Sequence, residues 1–114
     1  MSRVSVVIVS FNTCATLETC LRSLHDPAPV TDHDIVVVDN GSADGSAAAV
    51  RSGWPHVHVI EQDHNAGYAC ATNTGIRATS AELLLLLNSD TVIPPGSLDR
   101  LVAALDADPT AAIA

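Results

Sequence analysis

The sequence predicts an α/β fold in three layers, with a mainly parallel, twisted sheet between flanking helices. Two observations predict this fold. Four short apolar runs alternate with stretches whose apolar residues recur at helical spacing. The segments between the runs are too long for hairpins, so each is expected to cross over the sheet as a right-handed βαβ unit. The chain has 114 residues, the common size of one compact domain, and we expect a single domain over 1–114.

The first predicted strand runs from Val4 to Val9 and consists mostly of β-branched residues. Asn12 or Thr13 follows it as a candidate cap for the first helix. Spacing i, i+3, i+4 and i+7 predicts one apolar helix stripe, formed by Leu17, Cys20, Leu21 and Leu24. Pro27 then ends the helix.

The middle of the chain repeats the alternation. The elements are predicted, in order, as a strand at Ile35–Val38, an alanine-rich helix from Asp44 or Ser46 to Gly53, a strand at Val57–Ile60 and a helix at Tyr68–Ala78. Alanines and Gly75 in the last of these would let the helix lie close against the sheet.

The fourth strand is predicted at Leu83–Leu87, a run of five leucines that favours burial on both faces of the sheet. Ser97 is a candidate cap for the last helix. The apolar stripe of that helix comprises Leu98, Leu101, Val102 and Leu105. Ala111 to Ala114 is predicted to start a fifth strand, inside which the chain stops.

Polar residues follow three of these strands: Ser10-Phe11-Asn12, Asp39-Asn40 and Asn88-Ser89-Asp90. Ligands of open α/β sheets bind outside the carboxyl ends of the strands, so these residues are expected to line one site. Carboxylates there suit a metal ion or a hydroxyl-rich ligand better than a bare phosphate.

Composition excludes several classes of partner. Thirteen acidic residues against five arginines, with no lysine, give a net charge of -8, which argues against nucleic acid or an anionic membrane. The sequence shows neither a signal peptide nor an apolar run of membrane-spanning length, so we expect a cytoplasmic protein.

The cysteines and histidines predict no metal centre. Three cysteines without a CxxC pair indicate reduced, mostly packed thiols. His56 and His58 would share one face of a strand and make half of a metal site if Asp63 or His64 folded over them. Polar residues on the open face of an edge strand have the same pattern, and we favour that interpretation.

Familiar phosphate-binding motifs are absent from the sequence. The first strand is followed by no glycine, which excludes a GxGxxG dinucleotide site, and a chain without lysine cannot contain a P-loop. A phosphoacceptor receiver domain, which relies on a lysine at a later strand end, is disfavoured for the same reason.

Four motifs in order resemble family 2 glycosyltransferases of the Rossmann-like GT-A fold, with the closest likeness to the rhamnosyltransferase-like branch. They are VSVVIVSFN from Val4, DIVVVDNGSADGS from Asp34, NAGYACATNTGI from Asn65 and LLLLLNSDT from Leu83. Together they span nearly the whole chain, which makes the resemblance specific.

The resemblance implies a nucleotide-sugar donor at the strand ends. Phe11 is similar to the residue that stacks on the base, with core packing as its alternative, and Ser10 and Asn12 would serve the loop or the base edge. Asp39 is similar to the carboxylate that accepts from a ring N–H, with turn capping as its alternative. Asp44 is assigned a structural role.

Two further motifs complete the donor site that the resemblance implies. Asn65, Gly67 and Asn73 match residues that flank the donor, and a plain turn is the alternative for the first two. Thr72 stands where many relatives carry a basic residue.

Asn88-Ser89-Asp90 occupies the place of the DxD motif of the family. A carboxylate about 4 Å from a phosphate charge is repelled by about 4 kcal/mol at an intermediate dielectric. Asp90 therefore implies a Mg²⁺ or Mn²⁺ ion between the two, and Asn88 could bond ribose hydroxyls.

The implied reaction is transfer of a sugar from a nucleotide-diphosphate donor to a hydroxyl of a glycan or glycolipid acceptor, with inversion, for cell-surface polysaccharide or glycolipid synthesis. Its general base is expected beyond residue 114, so these residues alone are the donor-binding half, apparently truncated and inactive by themselves. An exposed sheet edge would favour a homo-oligomer, and the full-length parent would work at the inner face of the membrane. A non-catalytic interaction domain and a sugar nucleotidyltransferase are the alternatives.

Overall fold

The computed structural model describes residues 2–108, 110, 111 and 113. Strands and helices alternate throughout. They are β1 (Val4–Ser10), α1 (Cys14–His25), β2 (His33–Asp39), α2 (Ser46–Gly53), β3 (His58–Glu61), α3 (Tyr68–Arg77), β4 (Leu83–Asn88) and α4 (Ser97–Ala107). The four predicted strands and four predicted helices are therefore confirmed.

All pairs in the sheet are parallel, and the strand order is β3-β2-β1-β4. β1 lies between β2 and β4, which is consistent with its continuous burial. The register pairs Ser10 with Asp39 across β1 and β2, and Val9 with Asn88 across β1 and β4. The C-terminal ends of these three strands consequently meet at one edge of the sheet.

Successive side chains of the strands point to opposite faces of the sheet and are buried in two separate layers. Val6, Ile8 and their neighbours on β2 and β4 pack with the apolar stripe of α1 and with Val50 of α2. Leu98 and Val102 of α4 pack against Val4 on the same side. On the opposite side, the cluster is formed by Val36, Val38 and Ala71 of α3, with Val9 and Ile60 packed against it. The predicted three-layer α/β fold is confirmed.

The prediction that the leucine run is buried on both faces is wrong. Leu84 and Leu86 are 43% and 46% exposed. β4 ends the described sheet, and α3, the helix on that side, contacts β1 and β2. One helix is too narrow to cover a third strand. Leu84 and Leu86 also line an open apolar cavity of about 520 Å³, together with residues of α4.

The predicted fifth strand, Ala111–Ala114, falls partly on residues 112 and 114, which lie outside the described residues. Ala111 and Ile113 are described, and neither is in a strand. In the described part of the chain no helix has both the length and the apolar composition needed to cross a bilayer.

Candidate functional site

The structure brings the three polar strand ends together. Ser10 of β1 lies next to Asp39 of β2 on one side, and β4 ends at Asn88 on the other. Neighbouring strands are about 4.8 Å apart, so the ends of β2 and β4 are separated by about 10 Å. This is the juxtaposition that the alternation of strands and helices predicted.

Phe11 and Asp90 present their side chains at this edge. Phe11 follows β1 directly and is 43% exposed, so it is not packed in the core as its alternative interpretation required. Asp90 is exposed in a turn closed by the Thr91 N–H, which donates to the Asn88 carbonyl at 3.1 Å. Asn88 is exposed as well. The exposed ring of Phe11 and the exposed carboxylate of Asp90 therefore both lie at this edge of the sheet.

Asp39 is 4% exposed and divides its two oxygens between two environments. Oδ1 accepts the Ser42 N–H at 3.3 Å, which is the turn-capping contact. Oδ2 accepts no hydrogen bond from the described residues and is not sealed from solvent. The turn thus occupies one oxygen and leaves the other open to a ligand donor.

Asp44 has the structural role that the sequence indicated. Oδ1 accepts the Ser46 N–H at 3.1 Å and the Ser46 hydroxyl, and Oδ2 accepts the Cys14 N–H at 3.0 Å. These hydrogen bonds, that of the Ser46 hydroxyl foremost, hold the pKa of Asp44 below its usual value. One carboxylate thereby caps the start of α2 and the start of α1.

The prediction that a side chain of Asn12 or Thr13 caps α1 is wrong. Thr13 occupies the N-cap position, but its side chain makes no capping bond. Asn12, at φ 51°, accepts the Ala43 N–H on its amide oxygen at 2.8 Å and donates its own N–H to Ser42 Oγ at 2.8 Å. Both residues hydrogen-bond to other segments, and Asp44 accepts the first amide of α1 instead.

Sequence reasoning placed Asn40 at the strand-end site but missed that its buried side chain joins two loops. Its amide nitrogen donates to Asn65 Oδ1 at 2.9 Å and to the Gly67 carbonyl at 3.4 Å, and its amide oxygen accepts the Ala66 N–H at 3.0 Å. Next to it, Gly41 has φ 86°, and a Cβ there would lie 2.7 Å from the His64 carbonyl carbon. The sequence does not show these contacts, since the partners of Asn40 follow about 25 positions later.

Gly67 lies in the turn before α3, and Asn73 lies within that helix. Gly67 has φ 88° and directly precedes α3, and its N–H donates to Asn65 Oδ1 at 2.9 Å. Asn73 is exposed in the middle of α3. Thr72 is buried, and its hydroxyl has no hydrogen-bond partner among the described residues. The predicted donor contacts of Gly67 and Asn73 stay predictions.

The cysteines are free thiols, and two of the histidines, His25 and His56, contact each other. All three cysteines are free, and burial, followed by the charge of Asp90, raises the pKa of the Cys20 thiol to about 11. Cys70 is exposed, so not every thiol is packed as expected. His56 precedes edge strand β3 and contacts His25, at 2.5 Å between the Nε2 atoms. In the described residues no three His, Cys, Asp or Glu side chains are grouped to hold a metal.

Two cavities of the molecule are lined by other residues. One of about 260 Å³ lies at the opposite edge of the sheet beside Asp34, His56 and His58, and the other is the apolar cavity beside β4. Neither includes Phe11 or Asp90. The case for the strand-end site therefore depends on the register and on the exposed groups described above.

Comparison with known proteins identifies the family. The model of glycosyl transferase family 2 matches residues 5–114. The chain belongs to this family. It is 31% identical to glycosyltransferase AglE of Haloferax volcanii over 91 residues, which cover 76% of this chain and 30% of that protein. It is 33% identical to the succinoglycan biosynthesis protein ExoO of Rhizobium meliloti over 105 residues, 91% of this chain and 30% of that protein.

Two solved structures share the fold. The mannosyltransferase PcManGT from Pyrobaculum calidifontis, in complex with GDP-Man and Mn²⁺, matches with a TM-score of 0.85 and 29% identity over 96% of this chain and 33% of its own. S. aureus TarS 1-349 in complex with UDP matches with a TM-score of 0.81 and 25% identity over 92% of this chain and 32% of its own. The chain thus spans about a third of the length of these relatives.

Proposed function

We propose that this chain is the nucleotide-sugar-binding domain of a family 2 glycosyltransferase, which transfers a sugar from a nucleotide-diphosphate donor to an acceptor hydroxyl with inversion. The observation that carries the proposal is the register that aligns the ends of β2, β1 and β4 at one edge. Family membership supports it, and so do the GDP-Man and UDP bound by the two similar structures.

The base of the donor binds at the β1 and β2 ends. Phe11 offers an exposed aromatic face for stacking. The open Oδ2 of Asp39 accepts from a ring N–H, which uracil, thymine and guanine all possess. Ser10 and Asn12 hold the loop beneath the base, and Gly67 and Asn73 flank the donor from the α3 side.

The diphosphate binds at the β4 end with Mg²⁺ or Mn²⁺. Asp90 is the metal-binding carboxylate, and Asn88 bonds a ribose hydroxyl. In the described residues Asp90 does not belong to any group of three His, Cys, Asp or Glu side chains, so a bound ion would take further ligands from phosphate oxygens and water. Such an ion supplies Lewis-acid stabilisation of the leaving nucleotide diphosphate. The Mn²⁺ in the PcManGT complex supports this choice.

The acceptor and the general base belong to residues outside 1–114, so the fragment alone lacks transferase activity. A glycan or glycolipid acceptor fits the similarity to ExoO and, at 32% identity, to an undecaprenyl-phosphate 4-deoxy-4-formamido-L-arabinose transferase of Klebsiella pneumoniae. The asparagine at the first position of the DxD-like motif supports the rhamnosyltransferase-like branch. The parent enzyme then works in the cytoplasm at the inner face of the membrane.

Calorimetric titration tests the proposal. UDP, GDP and dTDP are titrated into the chain with and without Mn²⁺, and the same is done for Asp39→Asn and Asp90→Asn. Asp32→Asn is the matched control, because it removes one exposed carboxylate at the opposite end of β2. We expect Asp39→Asn to weaken binding with and without metal, since it replaces a charged acceptor with a neutral amide.

Asp90→Asn is expected to abolish the Mn²⁺ dependence and to strengthen metal-free binding, because it removes the carboxylate that repels the diphosphate. No binding of any nucleotide by the wild type would contradict the proposal and favour a non-catalytic interaction domain. Mn²⁺ dependence that survives in Asp90→Asn would remove Asp90 from the metal site.

A further inference from the structure

The hydroxyl of Thr13 lies between the ends of β1 and β4. Its Oγ1 is 2.9 Å from Ser10 Oγ and 2.9 Å from Ser89 Oγ. Ser10 and Ser89 are both buried. The three hydroxyls form a continuous chain of hydrogen bonds, in which Thr13 is the central member.

This use of Thr13 is not what its position in the sequence favours. A threonine at an N-cap normally turns its hydroxyl back onto the second or third amide of its own helix. Here that bond is absent, and the amide at the start of α1, that of Cys14, donates to Asp44 instead. The Thr13 hydroxyl makes no bond to its own helix and contacts a residue 76 positions away.

The partner of Thr13 belongs to the turn that presents Asp90. Ser89 sits between Asn88 and Asp90 in the turn closed by the Thr91 N–H. Among the described residues, Thr13 is the side chain that hydrogen-bonds Ser89. Through this hydrogen bond Thr13 therefore holds Ser89, the residue next to the exposed carboxylate of Asp90, in place.

We propose that Thr13 is a positioning residue, which holds the Asn88–Thr91 turn so that Asp90 points at the metal bound with the donor diphosphate. The neighbouring Asn12 is hydrogen-bonded to Ser42 and Ala43 beside Asp39. The segment from Ser10 to Thr13 therefore ties the base end of the site to its metal end. This inference rests on the proposed function.

Two variants of Thr13 separate its hydroxyl from its bulk. Thr13→Val keeps the β-branched shape and removes the hydrogen bonds, whereas Thr13→Ser keeps the hydroxyl. In the Mn²⁺ titration with UDP or GDP, we expect Thr13→Val to weaken the metal-dependent part of binding about 3- to 10-fold, the effect of one lost hydrogen bond. Thr13→Ser restores it. Because Thr13→Val also breaks the bond to Ser10, the measure is the ratio of the affinities with and without Mn²⁺ and not the metal-free affinity alone.

A second readout needs no nucleotide. Amide hydrogen exchange at Thr91 reports whether the turn is held, because the N–H of Thr91 closes it. We expect faster exchange in Thr13→Val than in wild type, with Thr13→Ser close to wild type. This measurement keeps the test informative when binding is weak.

The outcomes distinguish this inference from the proposed function. A wild-type chain that binds no nucleotide overturns the proposed function. Thr13→Val that matches wild type in both metal-dependent binding and Thr91 exchange overturns the role of Thr13. An equal loss in Thr13→Val and Thr13→Ser overturns it too, since Thr13→Ser keeps the hydroxyl and should retain binding.

Discussion

Gly75 sets how closely α3 lies on the sheet. It faces β1 and β2 from the buried side of the helix. A Cβ at this position would lie 2.5 Å from Val7 Cγ1 and 3.1 Å from Val38 Cγ2. Both valines are fully buried and have no room to move away. The helix therefore approaches the strands at a distance that only glycine permits.

Replacing Gly75 by alanine is expected to lower the free energy of unfolding by about 1–3 kcal/mol, because the added methyl group overpacks the interface. The higher helix propensity of alanine offsets up to about 1 kcal/mol of this loss. Urea denaturation followed by circular dichroism measures the change. Gly53→Ala is the matched control, since nothing lies within 4 Å of its Cβ, and a Gly75→Ala variant as stable as that control would contradict the prediction.

At the residue scale, hydrogen bonds within one loop were predictable from the sequence, and hydrogen bonds between distant segments were not. The sequence indicated that Asp44 is structural, and its bonds to Ser46 confirm this. Its bond to Cys14, 30 residues earlier, depends on how two loops pack. The Thr13 hydroxyl was misassigned for the same reason: propensity describes what a side chain does within its own turn, and a tertiary contact replaced that bond.

At the scale of elements, His25 joins the end of α1 to the end of α2 and to the start of β3. Its ring stacks on Trp54 with centroids 4.4 Å apart, and it contacts His56 and the Leu21 carbonyl. Burial lowers the pKa of His25, the nearby His56 and His33 lower it further, and the hydrogen bond to Leu21 counteracts part of the shift. The folded chain consequently favours the neutral imidazole.

Stability is therefore expected to fall as the pH drops below the ordinary histidine pKa of about 6.5. A pKa that is lower in the folded state means that the unfolded chain binds the proton first, so the contribution of His25 is complete above that pH and is lost on acidification. Thermal midpoints measured between about pH 7.5 and pH 5 should decline in the wild type.

His25→Phe keeps an aromatic ring on Trp54 and should flatten this decline. His64→Asn, which removes an exposed imidazole from the loop before α3, is the control and should keep the wild-type slope. An unchanged slope in His25→Phe would assign the pH dependence to other groups.

Element type and order followed from periodicity, whereas the environment of β4 did not. A run of apolar residues describes what a strand can bury, and its length and leucine content predicted β4 correctly. Whether each face is covered depends on what packs beside it. α3 lies over β1 and β2, so Leu84 and Leu86 are exposed in spite of their hydrophobicity.

At the scale of the whole molecule, the outer side of β4 combines an open strand edge with exposed leucines. Unpaired strand edges with apolar side chains are sites of self-association. We expect concentration-dependent association of this chain in sedimentation velocity at moderate salt, which screens the repulsion between copies of charge -8.

Lysine at the edge should abolish this association, as edge lysines do in natural sheets. The test variant is Leu84→Lys with Leu86→Lys, and the control is Val30→Lys, which adds one lysine at a position 93% exposed in a loop. A wild-type chain that sediments as a monomer throughout, or a double variant that associates as the control does, would contradict the prediction.

The candidate site as a whole was predictable to the level of strand ends. Parallel strands place their C-terminal ends at one edge, which is why Ser10, Asp39 and Asn88 could be grouped from the sequence. The role of Asn40, which fixes the loop at Asn65 to Gly67, was not recognised, because a buried amide network depends on atomic positions and leaves no periodic signal.

The bond between Asp44 and the Cys14 amide also orders the events of biosynthesis. When residues 14–25 leave the ribosome, the carboxylate that completes their N-terminus is still inside the exit tunnel. The first helix must wait for the second strand to dock before its opening turn is secured, since contacts between distant segments form only after the intervening chain has closed. Nascent chains stalled when residues 14–25 have emerged and Asp44 has not should therefore hold this segment as a frayed helix, and those in which residue 46 has also emerged as an intact one.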